Sequence, residues 1–127
     1  MKFGKTIRKL REERNISIAE LARKVGMSPT YLAPIERDVF PPPAEGKVKR
    51  IAKALGQDPD EFLALAGRVA TDLHRIIRKQ PAQMARLLRA VDGFSESEIN
   101  KLALRVENRR ISTTKKRNPS KKTLKNT

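Results

Sequence analysis

Cysteine is absent from this 127-residue chain, which excludes disulfides, thiolate metal sites and cysteine nucleophiles and fits a reducing compartment. Tryptophan is also absent and aromatics make up 4% of the residues, so a small Leu, Ile, Val and Ala core is available but a large lined pocket is not. A single histidine, His74, removes most imidazole-based metal and acid–base schemes. Its neighbour Asp72 stands two residues away, a spacing that points side chains apart on a helix. There is no glycine-rich phosphate loop and no Ser/His/Asp arrangement, so no catalytic residue is assigned and no enzyme is expected. No window approaches the roughly 18 to 20 apolar residues of a membrane span, and the opening MKFGKTIRKLREER runs into charge with no signal-like apolar segment. A cytoplasmic, nucleoid-associated chain without membrane, metal or cofactor is the expectation.

Positive charge is what the sequence has in excess: 29 Lys and Arg against 14 Asp and Glu, a formal net charge of +15. The excess is concentrated at the end. Residues 109–127, RRISTTKKRNPSKKTLKNT, contain no acidic residue and only Ile111 and Leu124 as large apolar groups. That is too little to offset the entropy of ordering, which predicts a disordered basic tail. Its Arg109, Arg110, Lys115, Lys116, Arg117, Lys121, Lys122 and Lys125 would attract polyanions by counterion release and act as a non-specific DNA arm.

Every segment before the tail repeats with a helical period, which predicts an all-α protein. Phe3, Ile7 and Leu10 mark a first helix over about residues 3–14, with Asn15 placed where a left-handed residue is tolerated. Ser17 and Glu20 form an S-x-x-E capping box for a second helix with Leu21, Ala22 and Val25 inward, ended by Gly26. Ser28 caps a third helix with Pro29 at its first position and Leu32 and Ile35 inward. Pro41, Pro42 and Pro43 then make a stiff connector; a proline-rich ligand for another domain is the second reading of that run. Val48, Ile51, Ala52 and Leu55 line a fourth helix from about Ala44 to Gly56. Asp58-Pro59-Asp60-Glu61 opens a fifth with Phe62, Leu63 and Leu65; capping fits these acids better than a cation loop does.

Two short helices joined by a Gly-containing turn are the arrangement of a helix-turn-helix. The run ISIAELARKVGMSPTYLAPIERD, followed by IAKALGQDPDEFLALAG, resembles the Cro/CI-like (XRE-type) helix-turn-helix regulators, with the lambda-repressor-like five-helix fold. The markers are Leu21-Ala22, Gly26, Ser28, Ile35-Glu36-Arg37, Ile51-Ala52 and Ala54-Leu55-Gly56, in order. The resemblance covers residues 3–67 and implies a helix-turn-helix DNA-binding domain over 1–67. It also implies a structural salt bridge between Arg11 and Glu36. DNA contacts would come from Ser28, Pro29, Thr30, Tyr31, Ala33, Pro34 and Arg37 on the recognition helix, with Ser17 and Ile18 at the start of the second helix. Two departures stand out. Ile18 replaces a glutamine common there, and the recognition helix offers two prolines and an alanine where Arg, Asn or Gln usually make bidentate base contacts. Direct polar readout is therefore thin, with thymine methyls reached through Pro29, Ala33 and Pro34, and Pro34 is expected to distort the helix.

Residues 68–108 carry a separate periodicity and are expected to form a helical extension, whose apolar faces either pack on one another and on the first domain or pair with a second copy as a dimerisation region. Leu73, Ile76 and Ile77 mark one helix, and Met84, Leu87, Leu88 and Val91 another after Gln80-Pro81. A third opens with the capping box Ser95-x-x-Glu98 and is expected to bury Ile99, Leu102, Ala103 and Val106. The chain thus reads as a DNA-binding transcriptional regulator, a repressor occupying an operator on double-stranded DNA as a homodimer. The alternative is a helix-turn-helix module for protein interaction, of antitoxin type with a toxin or other protein partner, tethered to DNA by its tail.

Overall fold

A computed structural model describes residues 2–116, with side chains to Arg110. Among the described residues all regular structure is helical: α1 Phe3–Glu13, α2 Ile18–Val25, α3 Pro29–Glu36, α4 Glu45–Ala54, α5 Pro59–Leu65, α6 Thr71–Lys79, α7 Pro81–Ala90 and α8 Glu96–Lys116. No helix among them is long and apolar enough to cross a membrane.

The helix boundaries follow local chemistry. Asn15 sits at φ 54°, so α1 ends where the sequence offers a residue that tolerates the left-handed region. The Ser17 side chain accepts from the Glu20 amide at 3.1 Å while the Glu20 carboxylate accepts from the Ser17 amide at 3.3 Å, completing the capping box of α2. Gly26, at φ 71°, closes α2 in a conformation that a Cβ would strain. Asp58 Oδ1 accepts from the amides of Asp60 at 2.8 Å and Glu61 at 3.2 Å, so this acidic group caps α5.

The chain divides into two compact units, one ending at Lys79 and the other beginning at Gln80. The division falls after α6 rather than at Gly67. In the first unit, α1 to α5 enclose Ile7, Leu21, Leu32, Ile35, Ile51, Leu55 and Leu63, all but inaccessible to water, with Phe3 and Phe62 edge to face at a centroid distance of 5.9 Å. Helix α6 is held to this unit by polar bonds. Glu45, in the first turn of α4, accepts from the Thr71 hydroxyl at 2.7 Å and from its amide at 3.2 Å, which caps α6 from another helix. The Arg68 guanidinium donates to the Pro42 carbonyl at 2.9 Å and to the Pro43 carbonyl, latching the proline connector.

The second unit departs from expectation in two ways. Its last helix runs to Lys116, so residues 109–116, including Arg109, Arg110, Lys115 and Lys116, are helical and not a disordered tail. The physical reason is propagation: from the Ser95 cap no Gly or Pro intervenes before Pro119, and each residue added to a nucleated helix gains a backbone bond without repeating the cost of nucleation. Arg117, Lys121, Lys122 and Lys125 lie outside the described residues. The apolar stripe is also not buried: Ile99 and Val106 are 37% and 58% exposed, Ala103 is exposed and Leu102 half-buried. The capping box at its start does form, with both bonds between Ser95 and Glu98 at 2.8 and 3.1 Å. A cap fixes where a helix starts; it does not supply a surface to cover its stripe.

Candidate nucleic-acid interface

Helices α2 and α3, joined through Gly26 and Met27, present one outward face. The Ser28 hydroxyl accepts from the Tyr31 amide at 3.2 Å, and Pro29 takes the first helical position, where no N–H is needed. Leu32, Ile35 and Glu36 are turned inward and buried, so the remaining positions of α3 are left to solvent. Ser28, Pro29, Thr30, Tyr31 and Arg37 are exposed, and Ala33 and Pro34 half-buried. On α2, Ser17 is exposed and half-buried Ile18 lies near Ala33 and Arg37, with which it lines a shallow depression beside Arg8, Arg11 and Glu36. The structure therefore gathers the α3 residues and Ile18 on one side. Ser17 remains committed to its capping box.

Pro34 does not break α3. The helix runs from Pro29 to Glu36 through it. The lost amide would have served the carbonyl of Thr30, an exposed residue whose free acceptor water can satisfy. Downstream, the Pro34 carbonyl accepts twice, from the Val39 amide at 2.9 Å and the Phe40 amide at 3.2 Å.

A charge pair locks this face to the rest of the unit. Arg11 Nε donates to Glu36 Oε2 at 2.7 Å and Nη2 to Oε1 at 3.1 Å, a two-pronged geometry, while Nη1 donates to the Ile16 carbonyl at 2.9 Å. Glu36 is buried at 4% exposure. The hydrogen bond to Glu36 raises the Arg11 pKa above its ordinary value against the opposing effect of burial. The pair thereby ties the end of α3 to α1.

A second lock escaped sequence reasoning. Asp38, at φ 59°, turns its carboxylate to accept from the Gly4 amide at 2.9 Å. A Cβ on Gly4 would overlap the carbonyl oxygens of Ile35 and Glu36, so only glycine lets the end of α3 approach the start of α1 this closely. A glycine in the first turn of a helix was the visible signal. The Phe40 ring was missed as well. It lies 6.0 Å from the Tyr31 ring, centroid to centroid, with the planes tilted by 43°.

A model of the helix-turn-helix domain matches residues 4–68. The chain belongs to the XRE-type helix-turn-helix family. Its helix-turn-helix domain thus spans α1 to α5. An uncharacterized HTH-type transcriptional regulator of Mycobacterium tuberculosis is 32% identical over 102 residues, covering 76% of this chain and 40% of that protein. The HTH-type transcriptional regulator RamB of the same species is 31% identical over 105 residues, covering 76% of this chain and 22% of RamB. The chain therefore spans less than half the length of these relatives. Among solved structures, the N-terminal DNA-binding domain of SinR from Bacillus subtilis aligns with a TM-score of 0.45 at 30% identity, covering 48% of this chain and 88% of that one. The DNA-binding domain of the P22 C2 repressor aligns with a TM-score of 0.46 at 30% identity, covering 50% and 82%.

Proposed function

We propose that the chain is a DNA-binding transcriptional regulator that places α3 in the major groove of an operator and represses by occupying it as a homodimer. The observation that carries the reading is the division of α3 itself. Leu32, Ile35 and Glu36 are sealed into the unit while Ser28, Pro29, Thr30 and Tyr31, the first turn, stand exposed on the outside. In this motif the start of the recognition helix reaches base edges. The names of the mycobacterial relatives, transcriptional regulators of the helix-turn-helix type, support the same reading. Arg37 and Ser28 supply phosphate contacts, and Thr30 with Pro29, Ala33 and Pro34 supply the base edge. Arg109, Arg110, Lys115, Lys116 and the basic residues after them add affinity that carries no sequence information, with nucleoid association as the consequence.

Dimerisation has a motive in the second unit. Leu87, Leu88, Phe94, Leu104 and Val106 are each 45% exposed or more, and a second copy would cover them while presenting two half-sites about 34 Å apart. The same exposed residues favour the alternative, a protein partner of the antitoxin–toxin kind docked there. Selection of the full-length chain on random duplex DNA near physiological salt separates the two. A short, two-fold symmetric motif is the expected result. A featureless pool with strong retention would reduce the protein to a non-specific binder, and no retention would transfer the reading to the protein partner.

A further inference from the structure

Among residues 2–67, the large apolar side chains left exposed are Tyr31, Val39 and Phe40, at 37%, 65% and 42%. All three belong to α3 or to the turn that leaves it. A domain that buries or half-buries its other large apolar groups and leaves these beside its proposed DNA-contacting face has a use for them there. The turn that carries Phe40 is built rigidly. The Pro34 carbonyl holds the amides of both Val39 and Phe40, and Asp38 is tied to the Gly4 amide. The Phe40 ring then rests beside Tyr31, whose own amide is fixed by Ser28. Such an edge needs no ordering when it meets a ligand.

We infer that Phe40, seated beside Tyr31, is a specificity-determining residue that receives the C5-methyl group of a thymine at the edge of the site occupied by α3. The inference rests on the DNA-binding reading above. Three features favour a base methyl as the occupant. The patch is continuous with the recognition helix; α3 offers no Arg, Asn or Gln for polar readout, which leaves apolar contact as its means of discrimination. Exposed cations, Arg23 and Lys24 on α2 and Arg37 at the end of α3, suit a polyanion.

The test starts from the motif enriched in the selection and replaces each thymine in turn by deoxyuridine, which deletes the methyl and leaves base pairing intact. For the full-length protein, one such replacement should weaken binding about fourfold, the effect of one methyl group removed from an apolar contact. Phe40→Ala should bind the thymine duplex about fourfold more weakly and be indifferent to uracil at that position. Phe40→Leu should keep part of the sensitivity. Phe40 is 42% exposed, so Phe40→Ala should still fold, with a far-UV circular dichroism spectrum like that of the parent. Indifference of the unmodified protein to uracil throughout the motif would overturn the inference alone, as would a Phe40→Ala variant as sensitive as the parent. A selection that yields no motif would overturn the DNA-reading function and the inference with it.

Discussion

The two ends of the molecule obey the same helix rules and reach opposite outcomes. Among the described residues, every buried apolar residue lies between Phe3 and Ala70, while from Thr71 to Arg110 no residue is buried at all. Both regions contain amphipathic helices, and both contain a complete Ser-x-x-Glu capping box, at Ser17 and at Ser95. The difference is the number of faces available. Helices α1 to α5 cross one another and close a core; α7 and α8 leave their stripes uncovered. Periodicity and capping specify a helix, but burial requires a third surface. That is why the first region holds its face in place and the second leaves its apolar side chains exposed.

Glu36→Ala should have the largest effect, about 3–5 kcal/mol, because it strands the Arg11 charge; urea denaturation of the full chain would measure it. A midpoint unchanged by this substitution would mean that the pair does not hold α3. Ile51→Ala should cost about 2–5 kcal/mol by the same measurement, whereas Leu104→Ala in protein kept dilute enough to be monomeric should stay within about 0.5 kcal/mol. Equal losses at the two positions would place a second core where none is described. If Leu87 and Leu88 form the proposed homodimer interface, Leu87→Ser combined with Leu88→Ser should convert the proposed homodimer to monomer in sedimentation. Affinity for a duplex with two half-sites should then fall about 100-fold, with a single half-site bound as before. A variant that still sediments as a dimer would move the interface elsewhere.

Smaller effects sharpen the contrast. Ser17→Ala should lower the cooperative midpoint by about 1 kcal/mol, since α2 is built into the core. Ser95→Ala removes an equivalent cap and should reduce helicity by circular dichroism without shifting that midpoint. The mildest effect is a pH dependence. Bonds from Thr71 and Lys49 hold the Glu45 carboxylate pKa below its ordinary range, so the charged form is favoured in the folded state. Its contribution is present above the ordinary carboxylate pKa and is lost as pH falls through the lowered value. Protection of the Thr71 amide from hydrogen exchange should decline across that acidic window in the parent and lose this pH dependence in Glu45→Gln, whose amide oxygen still accepts but does not titrate.

Much of the domain was legible because its signals are local. Ser17-x-x-Glu20, Gly26, Ser28-Pro29 and Asp58-Pro59 act within one turn, and each performs the expected bond or turn. The helical period of the apolar residues sufficed for the helical class that the described residues show. The family was legible from the order of the markers between Leu21 and Gly56. The error at residues 109–116 came from weighing burial alone where helix propagation decides. The error at Ile99, Ala103 and Val106 came from equating an apolar stripe with a covered one.

Other features depend on residues far apart along the chain, and no local pattern announces them. Asp38 accepting from Gly4, Glu45 capping Thr71, Arg68 latching the prolines and Phe40 settling beside Tyr31 all require the packed arrangement to exist first. The sequence by itself determined where helices start and stop, because caps, prolines and glycines act over three or four residues. Only the tertiary structure decided which stripes become core, how the end of α3 docks on α1 and which apolar rings remain facing water, because each depends on surfaces brought together by folding.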